Sequence, residues 1–348
     1  MLLTIVSFLF VFTVITLVHE FGHLIFAKRA GIAVPEFGLG FGPKLFSFKK
    51  NNTLYKINLL PILGYVKIAG IDTEDPQEKE IPENQKFYNK RVSQKFMPIF
   101  SGALMNLIFG FLVFSIIFMI AGVPSGTSNT ISAIKAGSEA SKVGLKVGDK
   151  LIAIDGIKYD KAVEAVKVIN SSPDKELKLT IERDGQIKMI KATPSLDKKL
   201  KIGLIGFGLS AIYKKVSPPA AIYHAFLATI ELIVVILALL GRLLVGKLAL
   251  GDLAGPIGIA QITGQYAQHG LLSLMSFMAF FSINVAVINL LPIPALDGGR
   301  LFFVLLEAVR GKAISIEKEN KFHYVGLFVL LGLIAVLTVN DLVRIFLN

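Results

Sequence analysis

Residues 1–29 read MLLTIVSFLFVFTVITLVHEFGHLIFAKR, an apolar run that closes on His19, Glu20 and His23 and then on the basic pair Lys28 and Arg29. About 20 apolar residues match the thickness of a bilayer interior, so a membrane helix over residues 2–27 is expected. The stretch lacks the basic leader and small-residue cleavage site of a secretory signal, and should be retained. His19-Glu20-Phe21-Gly22-His23 puts two imidazoles one helical turn apart on the same face, where both can hold one metal. Glu20 lies beside them, placed to act on water at that metal. Two imidazoles and a carboxylate near bilayer depth are costly unless they line an enclosed polar cavity, which makes function the default explanation. Zinc suits imidazole nitrogen combined with carboxylate oxygen.

The surrounding chain has 348 residues, 53% of them hydrophobic and 18% charged, which excludes an ordinary soluble enzyme and a disordered chain. It has no cysteine, so disulfides and thiolate ligands are excluded and any metal must rest on His, Asp or Glu. The net charge of +12 is spread along the sequence without an arginine-rich run. That favours anionic lipid headgroups as partners and argues against nucleic acid. Further apolar stretches cover 96–122, 221–245, 272–291 and 322–347, with a shorter amphipathic piece at 301–309. Residues 44–70, KLFSFKKNNTLYKINLLPILGYVKIAG, alternate apolar and polar, with turn chemistry at Asn51-Asn52 and around Pro61 and Gly64, and read as a β-meander. Residues 72–84 are acidic and read as a solvated loop. The block 124–216 has globular composition, with a helix near 162–170 and strands in LKLTIERDG and QIKMIKATP.

A hydrolytic zinc site needs a third protein ligand. The strongest candidate is Asp297, in Asn289-Leu-Leu-Pro-Ile-Pro-Ala-Leu-Asp297-Gly298-Gly299, where Pro292 and Pro294 stop the preceding helix and the glycines allow close backbone approach. The competing reading makes Asp297 the N-cap of the helix that follows. If one metal joins His19, His23 and Asp297, the first helix and 272–291 run in the same direction. A single crossing by 221–245 would then put Asp297 on the wrong face, so that stretch is expected within the interface, leaving four spans. Lys28, Arg29, Lys90, Arg91 and Lys95 flank the first loop, and Arg300, Arg310, Lys312, Lys318 and Lys321 follow Asp297. Positive-inside bias puts both groups in the cytoplasm and the soluble block outside.

The HEFGH motif, the stretch from Asn284 to Gly299 with its Pro-x-Pro-x-Leu-Asp-Gly-Gly ending, Gly40-Phe41-Gly42-Pro43, Gly64-Tyr65-Val66-Lys67, Gly255-Pro256-Ile257 and a PDZ-like block together resemble the bacterial RseP-type site-2 proteases. The likeness covers nearly the whole chain. It implies an intramembrane metalloprotease of the bacterial inner membrane, with one zinc ion on His19, His23 and Asp297 and Glu20 as the catalytic residue. The fold it implies is a polytopic α-helical membrane protein with four transmembrane helices, a membrane-associated β-hairpin region and one inserted α+β PDZ-like domain. Its parts would be 1–123, 124–216, 217–271 and 272–348. The chain departs from the family in having one PDZ-like block where the best-known members have two, and Gly102-Ala103 where many have Gly-Pro.

The expected substrates are transmembrane segments of single-pass proteins or remnant signal peptides; the resemblance adds anti-sigma factors. A membrane helix must unwind before hydrolysis. Gly64, Tyr65 and Val66 would hold it as an added strand, the alternative being a plain packing hairpin. Asn284, Asn289, Pro292 and Pro294 would handle substrate, the alternative for the asparagines being interhelical hydrogen bonds. In the PDZ-like block, Ile205 and Gly206 lie on the strand expected to receive a peptide terminus, unless the block is a size filter. Asn106 reads as a bundle hydrogen bond, and His224, His269 and His323 as interfacial or loop residues. Rival functions are a prenyl-protein-processing type of zincin, with a downstream glutamate such as Glu307 as third ligand, and a non-enzymatic scaffold.

Overall fold

The structure is a computed structural model that describes residues 1–71, 79–135, 137–197, 201–247 and 253–347, so most of the expected solvated loop lies outside the described residues. In chain order its elements are α1 (Leu2–Arg29), β1 (Glu36–Lys50), β2 (Thr53–Lys67), α2 (Val92–Ala121), β3 (Val123–Ile134), α3 (Glu139–Lys142), β4 (Lys150–Ile154), β5 (Ile157–Lys158) and α4 (Ala162–Asn170). Then follow β6 (Leu177–Arg183), β7 (Gln186–Ala192), β8 (Ser195–Asp197), β9 (Ile202–Leu204), β10 (Phe207–Lys214), α5 (Pro218–Leu244), α6 (Pro256–Gln268), α7 (Leu271–Asn289), α8 (Asp297–Arg310) and α9 (Ile316–Leu347). They form two compact units, Met1–Phe118 with Pro219–Asn348, and Met119–Pro218.

In the first unit α1, α2, α5, α7 and α9 are long and apolar enough to cross a membrane. Several helices begin earlier than hydropathy indicates: α2 at Val92, α9 at Ile316 and α8 at Asp297. Hydropathy marks only the apolar part, and the backbone continues helical through polar turns. Small residues set how closely the helices approach. A Cβ on Gly22 would lie 2.8 Å from the Ser101 carbonyl carbon, and one on Gly110 would lie 2.6 Å from Ile283 Cγ1, so α2 packs tightly on both α1 and α7. Val11 and Ile15 of α1 bury with Phe277 and Met278 of α7. Ile236 of α5 buries with Ile283 and Val287, flanked by Leu107 and Phe114 of α2. The stretch expected at the interface thus packs Ile236 against both α2 and α7.

α6 has 13 residues, about 20 Å of helix, and is too short to span. Asp341 of α9, 2% exposed, accepts the N–H groups of Gly255 (3.1 Å) and Gly258 (2.8 Å) and so caps the start of α6. Near the other end of α6, Gly264 rests on Thr4.

Between α1 and α2, Asn51 and Asn52 both take positive φ and close a two-residue hairpin. β1 does more than pair with its neighbour in the hairpin: Glu36 lies between Leu54 and Lys67, and Leu39 between Ile57 and Gly64. Residues 64–67 therefore form an edge. Glu36 is buried there and held by Lys56 at 2.5 Å and by the Tyr65 hydroxyl.

In the second unit the strand order is β10-β3-β4-β6-β7, with β5 beside β4 and a separate β8-β9 pair. Leu177, Leu179 and Ile181 alternate inward along β6 and meet Ala165 and Ile169 from α4 in one core. Asp149, 1% exposed, is gripped by Arg183 at 2.6 and 2.7 Å and accepts the Lys146 N–H at 2.8 Å. The last strand returns beside the first, with Lys214 opposite Val123, so the unit leaves the chain where it entered.

Candidate metal centre

α1 and the start of α8 bring three donor atoms together. His19 Nε2 lies 2.9 Å from Asp297 Oδ2, His23 Nε2 lies 3.4 Å from the same oxygen, and the two nitrogens are 3.2 Å apart. Ligands about 2.0 Å from a tetrahedral ion stand roughly 3.3 Å from one another, so this triangle fits zinc. Among the described residues it is the one group of three suited to a metal.

Both rings are oriented from behind. His23 Nδ1 donates to the Pro98 carbonyl at 2.7 Å, which leaves the Nε2 lone pair free for a metal. His19 Nδ1 faces the Asn106 amide at 3.3 Å, with the amide nitrogen nearest and Oδ1 buried without a partner. Exchanging amide oxygen and nitrogen lets His19 Nδ1–H donate to Oδ1 and leaves Nδ2 in the unpartnered position. Gly102, one turn before Asn106 on the same face of α2, makes room for the rings: a Cβ there would lie 2.6 Å from His23 Cε1 and 2.8 Å from His19 Cε1. The departure from Gly-Pro at this point falls on Ala103 and spares the glycine that the histidines need.

Asp297 reaches the site because α7 ends at Asn289 and the chain turns through 290–296. Leu296 is the N-cap of α8, and the cap position makes no side-chain hydrogen bond. The capping reading of Asp297 is therefore wrong; the residue is the first of the helix and its carboxylate is turned to the imidazoles. A Cβ on Gly298 would strike the backbone of Leu290 and Leu291, which explains that glycine. Glu307 does not approach the histidines, since both of its carboxylate oxygens bind Lys95 Nζ, at 2.9 and 2.8 Å.

Glu20 lies against the β2 edge. The Gly64 N–H donates to Thr16 Oγ1 at 3.1 Å, a Cβ on Gly64 would lie 3.3 Å from Glu20 Cγ, and the Val66 backbone is in hydrogen-bonding reach of the Glu20 carboxylate. Tyr65 points the other way, with its hydroxyl on Glu36. Asn284 and Asn289 are half-buried, and their amides make no hydrogen bond to another described side chain. Pro292 is exposed, whereas Pro294 is packed against Gly326 of α9. In the second unit Ile205 is a core side chain. Its carbonyl accepts from Ala140 and that of Gly206 from Lys135, so only N–H groups of this turn remain to meet a peptide.

Asn106 makes a bundle hydrogen bond, as expected, and its partner there is His19, whereas His323 lies at the turn before Asp297 rather than free in a loop. The four-residue spacing from Gly102 was the available signal for Asn106. His323 accepts the Ala295 N–H at 3.0 Å, a long-range contact that no local pattern announces.

A helix-borne histidine pair completed by an aspartate from a broken membrane segment defines a class, and the chain belongs to it: the profile of peptidase family M50 matches residues 7–333. Among its relatives is the "Regulator of sigma-W protease RasP" of Bacillus subtilis, 34% identical over 420 aligned residues covering 99% of each chain. The "Zinc metalloprotease RasP" of Geobacillus kaustophilus is also 34% identical, over 99% of each chain. A solved PDZ domain from Listeria monocytogenes matches at 22% identity, covering 25% of this chain and 90% of that one, with a TM-score of 0.22. The protein is a multi-pass membrane zinc metalloprotease of the site-2 type.

Proposed function

We propose that the protein is an intramembrane endopeptidase that holds one zinc ion on His19, His23 and Asp297 and cuts transmembrane segments of single-pass proteins or remnant signal peptides. The donor triangle, with edges of 2.9, 3.2 and 3.4 Å, carries this reading. Zinc bound there supplies Lewis acidity toward water and the scissile carbonyl. Glu20 takes the proton from water and returns it to the leaving nitrogen. Pro98 and Asn106 hold the imidazoles in the tautomer that presents Nε2, and the close packing at Gly22 and Gly102 keeps lipid out.

A substrate strand added at the 64–67 edge would take the Gly64 and Val66 backbone groups from Thr16 and Glu20 and so bring its scissile bond to the metal. Asn284 and Asn289 supply free amides for that segment, and exposed Pro292 borders it. For Asp297 and His19 to share a depth, α1 and α7 must run in the same direction. Four crossings by α1, α2, α7 and α9 satisfy this, with α5 and the short α6 making no net crossing. Positive-inside bias of the basic residues around the site supports a cytoplasmic-side site and a PDZ-like unit outside. We read that unit as a filter against bulky outer domains; the N–H groups left at the Ile205–Gly206 turn would in addition suit a peptide carboxylate. Membrane-bound anti-sigma factors fit these requirements, in keeping with the printed name of the Bacillus subtilis relative.

The test compares wild type, Glu20→Gln and His19→Ala on a single-pass substrate, with zinc content measured in parallel. Glu20→Gln is expected to keep zinc and lose about 10²–10⁴-fold in cleavage rate. Undiminished cleavage removes Glu20 from its role, and full zinc content in His19→Ala removes the metal assignment.

A further inference from the structure

The turn that delivers Asp297 is held from outside itself. Ala295 takes a left-handed conformation, φ 72°, without being glycine, which costs about 1 kcal/mol and persists only where surroundings enforce it. Within the turn the Ile293 and Leu296 N–H groups find backbone acceptors, but the Ala295 N–H donates to His323 Nδ1 of α9 at 3.0 Å. On the same face of α9, Gly326 receives Pro294; a Cβ there would lie 2.7 Å from the Pro294 carbonyl carbon. A Cβ on Gly299 would come within 3.3 Å of His323 Cε1. The imidazole therefore hydrogen-bonds the chain two residues before Asp297 and flanks it two residues after, where any side chain would be crowded. Phe303 and Phe322 pack around the ring, and its buried Nε2 has no acceptor among the described residues. An Nδ1 that accepts a hydrogen bond fixes the neutral tautomer.

We propose that His323 is a positioning residue for the metal site: by accepting the Ala295 N–H and bracing Gly299, it fixes the turn so that the Asp297 carboxylate meets the two histidines. This rests on the reading of Asp297 as a zinc ligand. A metal site tolerates ligand displacement of only about 0.2 Å, so a turn freed to relax lowers affinity without unfolding the helices.

The experiment measures zinc affinity by chelator competition on the full chain in detergent for wild type, His323→Phe, His323→Asn and His19→Ala, with thermal unfolding of each metal-free protein. Phenylalanine keeps the ring volume and removes the acceptor, whereas asparagine places Oδ1 where Nδ1 stood. His323→Phe is expected to weaken zinc about 10–100-fold, as loss of an outer-shell partner does, and His323→Asn to recover most of that loss. Cleavage should follow in kcat, with KM unchanged. Wild-type zinc affinity in His323→Phe overturns the proposal, and so does equal loss in both His323 variants, which would make the ring a mere space filler. Should phenylalanine prevent folding, His323→Leu carries the same comparison. Full zinc retention in His19→Ala would instead sink the metal reading on which the proposal stands.

Discussion

Three glycine-to-alanine substitutions on membrane helices separate what the metal site needs from what packing needs. Alanine in a helix interior is favoured over glycine by up to about 1 kcal/mol. At Gly241 of α5 an added Cβ has nothing within 4 Å, so Gly241→Ala should collect that gain. At Gly110 the Cβ would lie 2.6 Å from Ile283 Cγ1 and 2.9 Å from its Cδ1. Overpacking costs about 1–3 kcal/mol, so Gly110→Ala should be destabilised on balance while its zinc affinity holds. At Gly102 the Cβ would stand 2.6 Å from His23 Cε1, where ordinary contact begins at 3.4 Å. The ring must yield by several times the about 0.2 Å that metal bonds accept. Gly102→Ala should therefore lose about 100-fold in zinc affinity with a stability change no larger than that of Gly110→Ala. Chelator competition and thermal unfolding on the three purified variants read both quantities. Wild-type zinc binding by Gly102→Ala, or an equal zinc loss in Gly110→Ala, would refute the reasoning.

Asn106→Leu removes the acceptor behind His19 and should weaken zinc about 10–100-fold, while Asn106→Asp, which keeps an oxygen there, should bind more tightly than the leucine variant; identical affinities would deny Asn106 its role. In the second unit the Arg183 guanidinium holds the Asp149 carboxyl below the usual carboxylate range. A folded value below the unfolded one means that the stabilisation is complete above the unfolded value, about 3.9, and drains away as pH falls through the folded value. Arg183→Met should thus speed amide exchange in β4 and β6 at pH 7, with the gap from wild type closing below pH of about 4; a gap that stays constant would count against the pair.

The histidine pair, Glu20 and Asp297 were legible because their chemistry is unusual in an apolar sequence and their spacing is local or flanked by helix-breaking prolines. The bounds of α4 were legible too, since Ala162, Ala165 and Ile169 mark one buried face. What escaped was the pairing of distant segments. The first half of β1 contacts both ends of β2, which alternation cannot reveal. Asn106 and His323 stood in apolar or interfacial runs where a polar group has many structural uses, and only proximity to His19 or Ala295 distinguishes them. Hydropathy identified α5 as long enough to span but carried no sign of the neighbours it packs against.

The imidazoles belong to the opening helix, and the acid arrives only after α7, in a turn braced by α9. The proposed donor triangle is therefore incomplete until the chain has been made through α8. A bundle made only as far as α7 holds two of the three donors, and the third comes with the docking of α8 against α1.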